Sequence, residues 1–191
     1  MVSAPLLPLF LKLEGRPVLV VGGGPVAAGR VRQLIEARAR VTVVAPEVRA
    51  DIHASGASVL ERRFEPTDIQ GVWLAVAAAT AEVNHAVADA AEAARVFVNV
   101  ADDPEAASAY SGGVLRKGGV LVAVSTEGRA PALAGLLREV LDALLPEDVD
   151  RWVTEAERLR GIHKADGIPL AARRPLLLSA LNALYGRREA A

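Results

Sequence analysis

The sequence has no cysteine. Disulfides, thiolate metal sites and a cysteine nucleophile are therefore excluded, and the composition fits a cytosolic protein. It also lacks an excess of either charge. Lys and Arg number 22 against 23 Asp and Glu, a formal net charge of −1. No global field draws the chain to nucleic acid or to an anionic membrane, so any anionic ligand must be met by a local cluster. No uncharged stretch approaches the roughly 18 apolar residues of a membrane span. The apolar start (Leu6, Leu7, Leu9, Phe10, Leu11) is broken by Pro5 and Pro8, follows no basic residue and runs into Lys12 and Glu14, which makes a poor signal peptide. The three histidines, His53, His85 and His163, lie far apart without metal-ligand spacing, so no resident metal is expected. Internal repeats and low-complexity linkers are absent.

What is present is a sizeable apolar fraction, 52% of 191 residues, enough for a core of one domain with a small appendage. Val18-Leu19-Val20-Val21 is a short β-branched run between Arg16-Pro17 and Gly22-Gly23-Gly24, the pattern of a strand buried on both faces. From Pro25 the period becomes helical, with Val26, Ala27, Val31, Leu34 and Ile35 on one side. Val41-Thr42-Val43-Val44 reads as the next strand. The alternation continues with a weaker, edge-like strand at 58–62, a buried strand at 72–77, a helix at 81–94 and a strand at 96–100. Such alternation predicts an α/β fold with a Rossmann-like, doubly wound parallel sheet. The rhythm then changes. Segments 109–115 and 119–125 read as strands around a turn at Arg116-Lys117-Gly118. An amphipathic helix follows, with Leu133, Leu136, Leu137, Val140, Leu141 and Leu144 in its stripe, Pro131 in its first turn and Pro146 after its end. Beyond Glu147 the chain reads as helical, with Gly186 as a candidate C-cap.

Gly22-Gly23-Gly24-Pro25-Val26-Ala27 fits G-x-G-x-x-A between a buried strand and a helix. The first glycine permits the tight turn, the second lets a pyrophosphate approach the backbone, and the small last residue lets helix pack on strand. The helix N-terminus then presents unpaired N–H groups and a positive dipole end. Gly22, Gly24, Pro25, Val26 and Ala27 are the first cofactor-binding candidates, joined by Thr80 and by Pro46 and Glu47. The acidic residue that usually ends the second strand and holds the ribose hydroxyls is displaced here to Glu47, beyond Pro46; a solvated loop charge is the competing reading. Because no Arg directly follows that strand, NAD is favoured over NADP, with Arg49 the nearest exception.

These segments, with Pro8-Leu9-Phe10-Leu11-Lys12-Leu13, Val98-Asn99-Val100-Ala101-Asp102 and Val122 to Pro131, resemble the precorrin-2 dehydrogenases of sirohaem synthesis, including the N-terminal part of the sirohaem synthases. The likeness runs over about residues 5 to 146 and is loose after Pro146. It implies an NAD domain at 1–112, a dimerisation region at 113–146, a C-terminal helical domain at 147–191, and a homodimer. It also implies NAD-dependent oxidation of precorrin-2 to sirohydrochlorin, to which some members add iron insertion. The family's general acid/base aspartate falls at Asp102, with Asp103 as second choice. Removal of a hydride and a proton needs a base, and a carboxylate at the carboxyl end of a parallel strand suits that work. The competing reading of Asp102-Asp103-Pro104 is a turn with a helix cap. Ser125, Thr126, Gly128 and Arg129 are candidates for binding a carboxylate of the tetrapyrrole at a helix N-terminus, against simple N-capping by Ser125 or Thr126. Arg116, Lys117, Arg138, Lys164, Arg173 and Arg174 are weaker candidates. A rival of another class is a non-catalytic NAD-sensing module, which would share the glycine turn and the sheet.

Overall fold

The computed structural model describes residues 5–186. The chain divides into two compact units, Met1–Ser111 and Gly112–Ala191.

In the first unit, β1 (Pro17–Val21), α1 (Pro25–Glu36), β2 (Arg40–Val44), α2 (Ala50–His53), β3 (Ser58–Leu60), β4 (Leu74–Ala77), α3 (Ala81–Ala94) and β5 (Phe97–Val100) succeed one another, with a short 3₁₀ turn at Pro66–Ile69 before β4. The five strands form one parallel sheet in the order β3-β2-β1-β4-β5. The chain moves outward from β1 through β2 to β3, then returns to the other side of β1 for β4. That reversal opens a crevice above the carboxyl ends of β1 and β4, where α/β folds bind ligands.

The pleat sorts the strand residues into two layers. Val18, Val20, Val41, Val43, Leu74 and Val76 pack with Ala27, Ala28, Val31 and Leu34 of α1. Leu19, Val21, Val44, Ala75, Ala77, Val98 and Val100 pack with Val87 and Ala91 of α3 and with Ile69. Register places Val20 beside Val43 and Val76, so each layer runs straight across the sheet. Helices on both sides explain why these strands are continuous apolar runs rather than alternating ones. Each fully buried Val, Leu or Ile side chain among them contributes about 1.5–3 kcal/mol.

Some boundaries differ from the sequence expectation. β3 stops at Leu60, and β4 begins at Leu74; Trp73 stands just before the amino end of this inner strand, exposed, with the Arg16 guanidinium 3.9 Å over its ring. Residues 109–111 are not strand. They are tied back to β5, where Ser108 and Ala109 N–H groups donate to the Val98 carbonyl.

The second unit holds β6 (Gly113–Lys117), β7 (Val120–Val124), α4 (Pro131–Leu144), α5 (Val149–Ala165) and α6 (Leu170–Gly186). β6 and β7 form an antiparallel hairpin. Its turn is Gly118-Gly119, not Arg116-Lys117-Gly118. Both glycines have positive φ, +49° and +81°, as a two-residue hairpin turn of type I′ requires. Lys117 stays in the strand and is largely buried. Its ammonium donates to the Asp142 and Leu145 carbonyls at the end of α4 and pairs with Glu147 at 2.7 Å, so it is a helix-end cap and not a free cation. α4 has the expected extent, but its stripe is uncovered. Leu136 is 56% and Leu144 72% exposed, Leu133, Leu137 and Val140 are also exposed, and in this helix only Ala134 is buried. Gly186, expected as a C-cap, is the last described residue and is itself helical; residues 187–191 lie outside the described part of the chain.

Candidate active site

The glycine turn is shaped by the backbone that surrounds it. Gly22 leaves β1 with φ +129°, and its N–H donates to the Val44 carbonyl at 3.0 Å. A Cβ there would lie 2.2 Å from the Ala78 carbonyl oxygen. At Gly23 a Cβ would lie 1.9 Å from the Glu47 carbonyl oxygen, and the Arg49 N–H donates to the Gly23 carbonyl at 3.1 Å. The loop after β2 therefore rests directly on the turn. Gly23 occupies a variable position of the motif, so spacing gave no sign that it is the most crowded of the three. Gly24 differs, because a Cβ there would meet nothing within 4 Å.

Gly24 is the extended N-cap of α1, and Pro25 stands in the first turn, where its missing N–H costs nothing. The first hydrogen bond of the helix runs from Ala28 N–H to the Gly24 carbonyl. The Val26 and Ala27 N–H groups precede it and have no carbonyl partner inside the helix. Ala27 is fully buried against the sheet and Val26 is half exposed. Open space at Gly24, in front of amides at the positive end of a twelve-residue helix, fits a dinucleotide pyrophosphate. Pro46 and Glu47 are exposed in the loop that lies on Gly23.

On the other side of the turn, Thr80 is the exposed N-cap of α3, and its hydroxyl makes no capping bond. The loop before it is held by Asn84, which sequence reasoning missed. Asn84 is buried and its Oδ1 accepts the Ala79 N–H at 2.9 Å. A polar residue at the head of the inward Asn84, Val87, Ala91 spacing was the available signal.

The two aspartates after β5 separate cleanly. The Asp103 carboxylate accepts the Glu105 and Ala106 N–H groups at 3.2 and 3.1 Å and meets His85 Nε2 at 2.9 Å. The Ala106 N–H and His85 hold its carboxyl below the usual carboxylate range. Asp103 thus does the turn-capping work. Asp102 sits in the left-handed region at φ +60°, is exposed, and among the described residues makes no hydrogen bond or ion pair. Asp102 follows β5, which lies two strands from β1 through β4, a lateral distance of about 10 Å. Asn99 steadies this region: its Nδ2 donates to the Ala109 carbonyl at 2.9 Å, and its Oδ1 accepts the Ser111 hydroxyl.

In the second unit, Ser125 Oγ accepts the Glu127 N–H and Thr126 Oγ1 accepts the Ala130 N–H, each at 3.1 Å. Neither caps α4, whose N-cap is Ala130, so simple N-capping is corrected. Both hydroxyls accept, which leaves their protons available to an anion. Glu127 and Gly128 have positive φ. Arg129 pairs with Glu127 at 3.1 Å, which offsets the charge expected of it. His53 pairs with Glu61 at 3.2 Å, and His163 is buried in α5. Among the described residues no three His, Asp or Glu side chains gather as metal ligands, and no helix is long and apolar enough to cross a membrane.

Residues 9–113 match the family model described as "Putative NAD(P)-binding". The chain belongs to that family. It is 42% identical over 173 residues to "Siroheme synthase 3" of Aeromonas hydrophila, covering 88% of this chain and 37% of that one. It is 39% identical over 173 residues to "Siroheme synthase" of Salmonella paratyphi B, covering 88% and 38%. The chain thus spans little more than a third of the length of these relatives. Among solved structures it is similar to "SirC, precorrin-2 dehydrogenase", with a TM-score of 0.69 and 25% identity, covering 91% of this chain and 88% of that one. The resemblance to the precorrin-2 dehydrogenase and sirohaem synthase family is borne out.

Proposed function

We propose that this protein oxidises precorrin-2 to sirohydrochlorin with NAD. The observation that carries the proposal is Asp102, a carboxylate with no partner among the described residues, on the same sheet edge as an open glycine turn, in a chain similar to siroheme synthases and to SirC. The Val26 and Ala27 amides and the α1 dipole hold the pyrophosphate, Gly24 leaves it room, Pro46 and Glu47 border the adenosine ribose, and Thr80 borders the cofactor on the other side. When bound, the nicotinamide accepts the hydride removed from the macrocycle. Asp102 takes the proton lost with it, so one hydride and one proton leave the substrate in each oxidation. Asp103 and Asn99 position that loop. In the second unit, Ser125, Thr126 and Gly128 offer hydroxyl and backbone donors to a substrate carboxylate, with Arg129 beside them.

Residues 113–146 are proposed as the dimerisation region of a homodimer, supported by the uncovered stripe of α4. The cytoplasm is the proposed site of action. The test supplies precorrin-2 and NAD to purified protein and follows NADH and sirohydrochlorin together. Asp102→Ala is expected to keep the fold and NAD affinity but lose about 10²–10⁴-fold in turnover. Equal turnover in the variant would move the base elsewhere. A non-catalytic NAD-sensing module predicts no turnover from either protein.

A further inference from the structure

The loop between β2 and α2 follows the strand whose end would face the adenosine ribose, and it carries a cation, Arg49. Its backbone is fixed there, because the Glu47 carbonyl abuts Gly23 and the Arg49 N–H donates to the Gly23 carbonyl at 3.1 Å. An arginine leaving this loop is where a 2′-phosphate would be gripped in a site that accepts one. Here the guanidinium is already engaged. Arg49 Nε and Nη2 donate to the two carboxylate oxygens of Asp51, both at 3.0 Å. The same arrangement recurs around the carboxyl ends of β2 and β3. Arg62 donates to both oxygens of Asp68, and His53 meets Glu61. Arg63, next to Arg62, is an exposed cation that serves as a control.

We infer that Asp51 sets the dinucleotide specificity of this site, by holding Arg49 in a two-pronged pair and presenting a carboxylate beside the guanidinium that a 2′-phosphate would have to reach. The inference rests on the NAD-binding reading above. A surface ion pair alone is a weak restraint. The discrimination comes from two effects with one sign. A 2′-phosphate must displace the fork-shaped pair to reach Arg49, and it meets the negative charge of Asp51 as it does so. NAD has only hydroxyls at that position and neither needs Arg49 nor is repelled.

The test is calorimetric titration of NAD and of NADP into the wild-type chain, Asp51→Asn, Asp51→Ser, and Asp51→Asn combined with Arg49→Ala or with Arg63→Ala, with thermal unfolding recorded for each. Two Asp51 variants guard against one that fails to fold. The expected result is NADP binding about tenfold tighter in Asp51→Asn, equivalent to about 1.4 kcal/mol, with NAD affinity changed by less than about twofold. Most of that gain disappears with Arg49→Ala and survives Arg63→Ala. Unchanged NADP affinity in folded Asp51 variants that still bind NAD overturns the inference alone, as does a gain that survives Arg49→Ala or needs Arg63. Folded wild-type protein that binds neither dinucleotide overturns the NAD reading beneath it.

Discussion

The β1 run Val18–Val21 and the α4 stripe from Leu133 to Leu144 are comparably apolar, yet their fates differ. Val18 and Val20 are wholly buried, whereas Leu136 and Leu144 stand more than half exposed. The reason lies in the connections. The parallel crossovers of the first unit return α1 to one face of the sheet and α3, with the Pro66–Ile69 turn, to the other, so the chain covers its own strands. The second unit has an antiparallel hairpin, which needs no crossover, and α4 lays its small Ala134 side inward. Periodicity states which face of an element is apolar. Connectivity decides whether the same chain covers it.

Four measurements test this contrast. The largest effect belongs to the sheet. Leu19→Ala, at a site 1% exposed, is expected to destabilise the protein by about 2–5 kcal/mol in denaturant unfolding. A loss under about 1 kcal/mol would mean that the sheet is not packed as described. Next comes the crowded glycine. Gly23→Ala must push the Glu47 carbonyl away and is expected to cost about 1–3 kcal/mol by the same method, since backbone has little room to give.

The α4 stripe should behave in the opposite way. Leu136→Glu is expected to change subunit stability by no more than about 0.5 kcal/mol in dilute solution, as surface substitutions do. It should nevertheless abolish self-association in sedimentation and remove the concentration dependence of the melting temperature. A variant that still self-associates would show that α4 is not the interface. The smallest effect is acid sensitivity at Asp103. Its carboxyl is depressed in the folded protein, so its stabilisation is complete above the unfolded value near 4 and is lost as pH falls through the lower folded value. Urea midpoints between about pH 3 and 6 should flatten slightly in Asp103→Asn. An unchanged slope would remove Asp103 from the loop's support.

Most of the first unit was legible in the sequence for a physical reason. A strand buried on both faces and a glycine turn before a helix are local patterns, and Val18 to Ala27 displays both. Trp73 escaped because hydrophobicity alone does not mark where a strand begins. The hairpin turn was misread because Arg116 and Lys117 look like loop charges, while Lys117 is held by the distant end of α4. The site was legible only in part. The choice between Asp102 and Asp103 depends on which carboxylate the Ala106 amide and His85 claim, and Gly23 is crowded by Glu47, 24 residues away in the chain. Such long-range partners leave no mark at the residue itself.

The proposed NAD site rests most directly on the open cradle at Gly24. Titration of NAD into the wild-type chain and into Gly24→Val, with unfolding curves for both, tests it directly. The variant is expected to stay folded, losing about 1 kcal/mol because Val is a poorer N-cap than Gly while its side chain meets only space, yet to bind NAD at least about tenfold more weakly, because that space would hold the pyrophosphate. Undiminished NAD binding by the folded variant would contradict it.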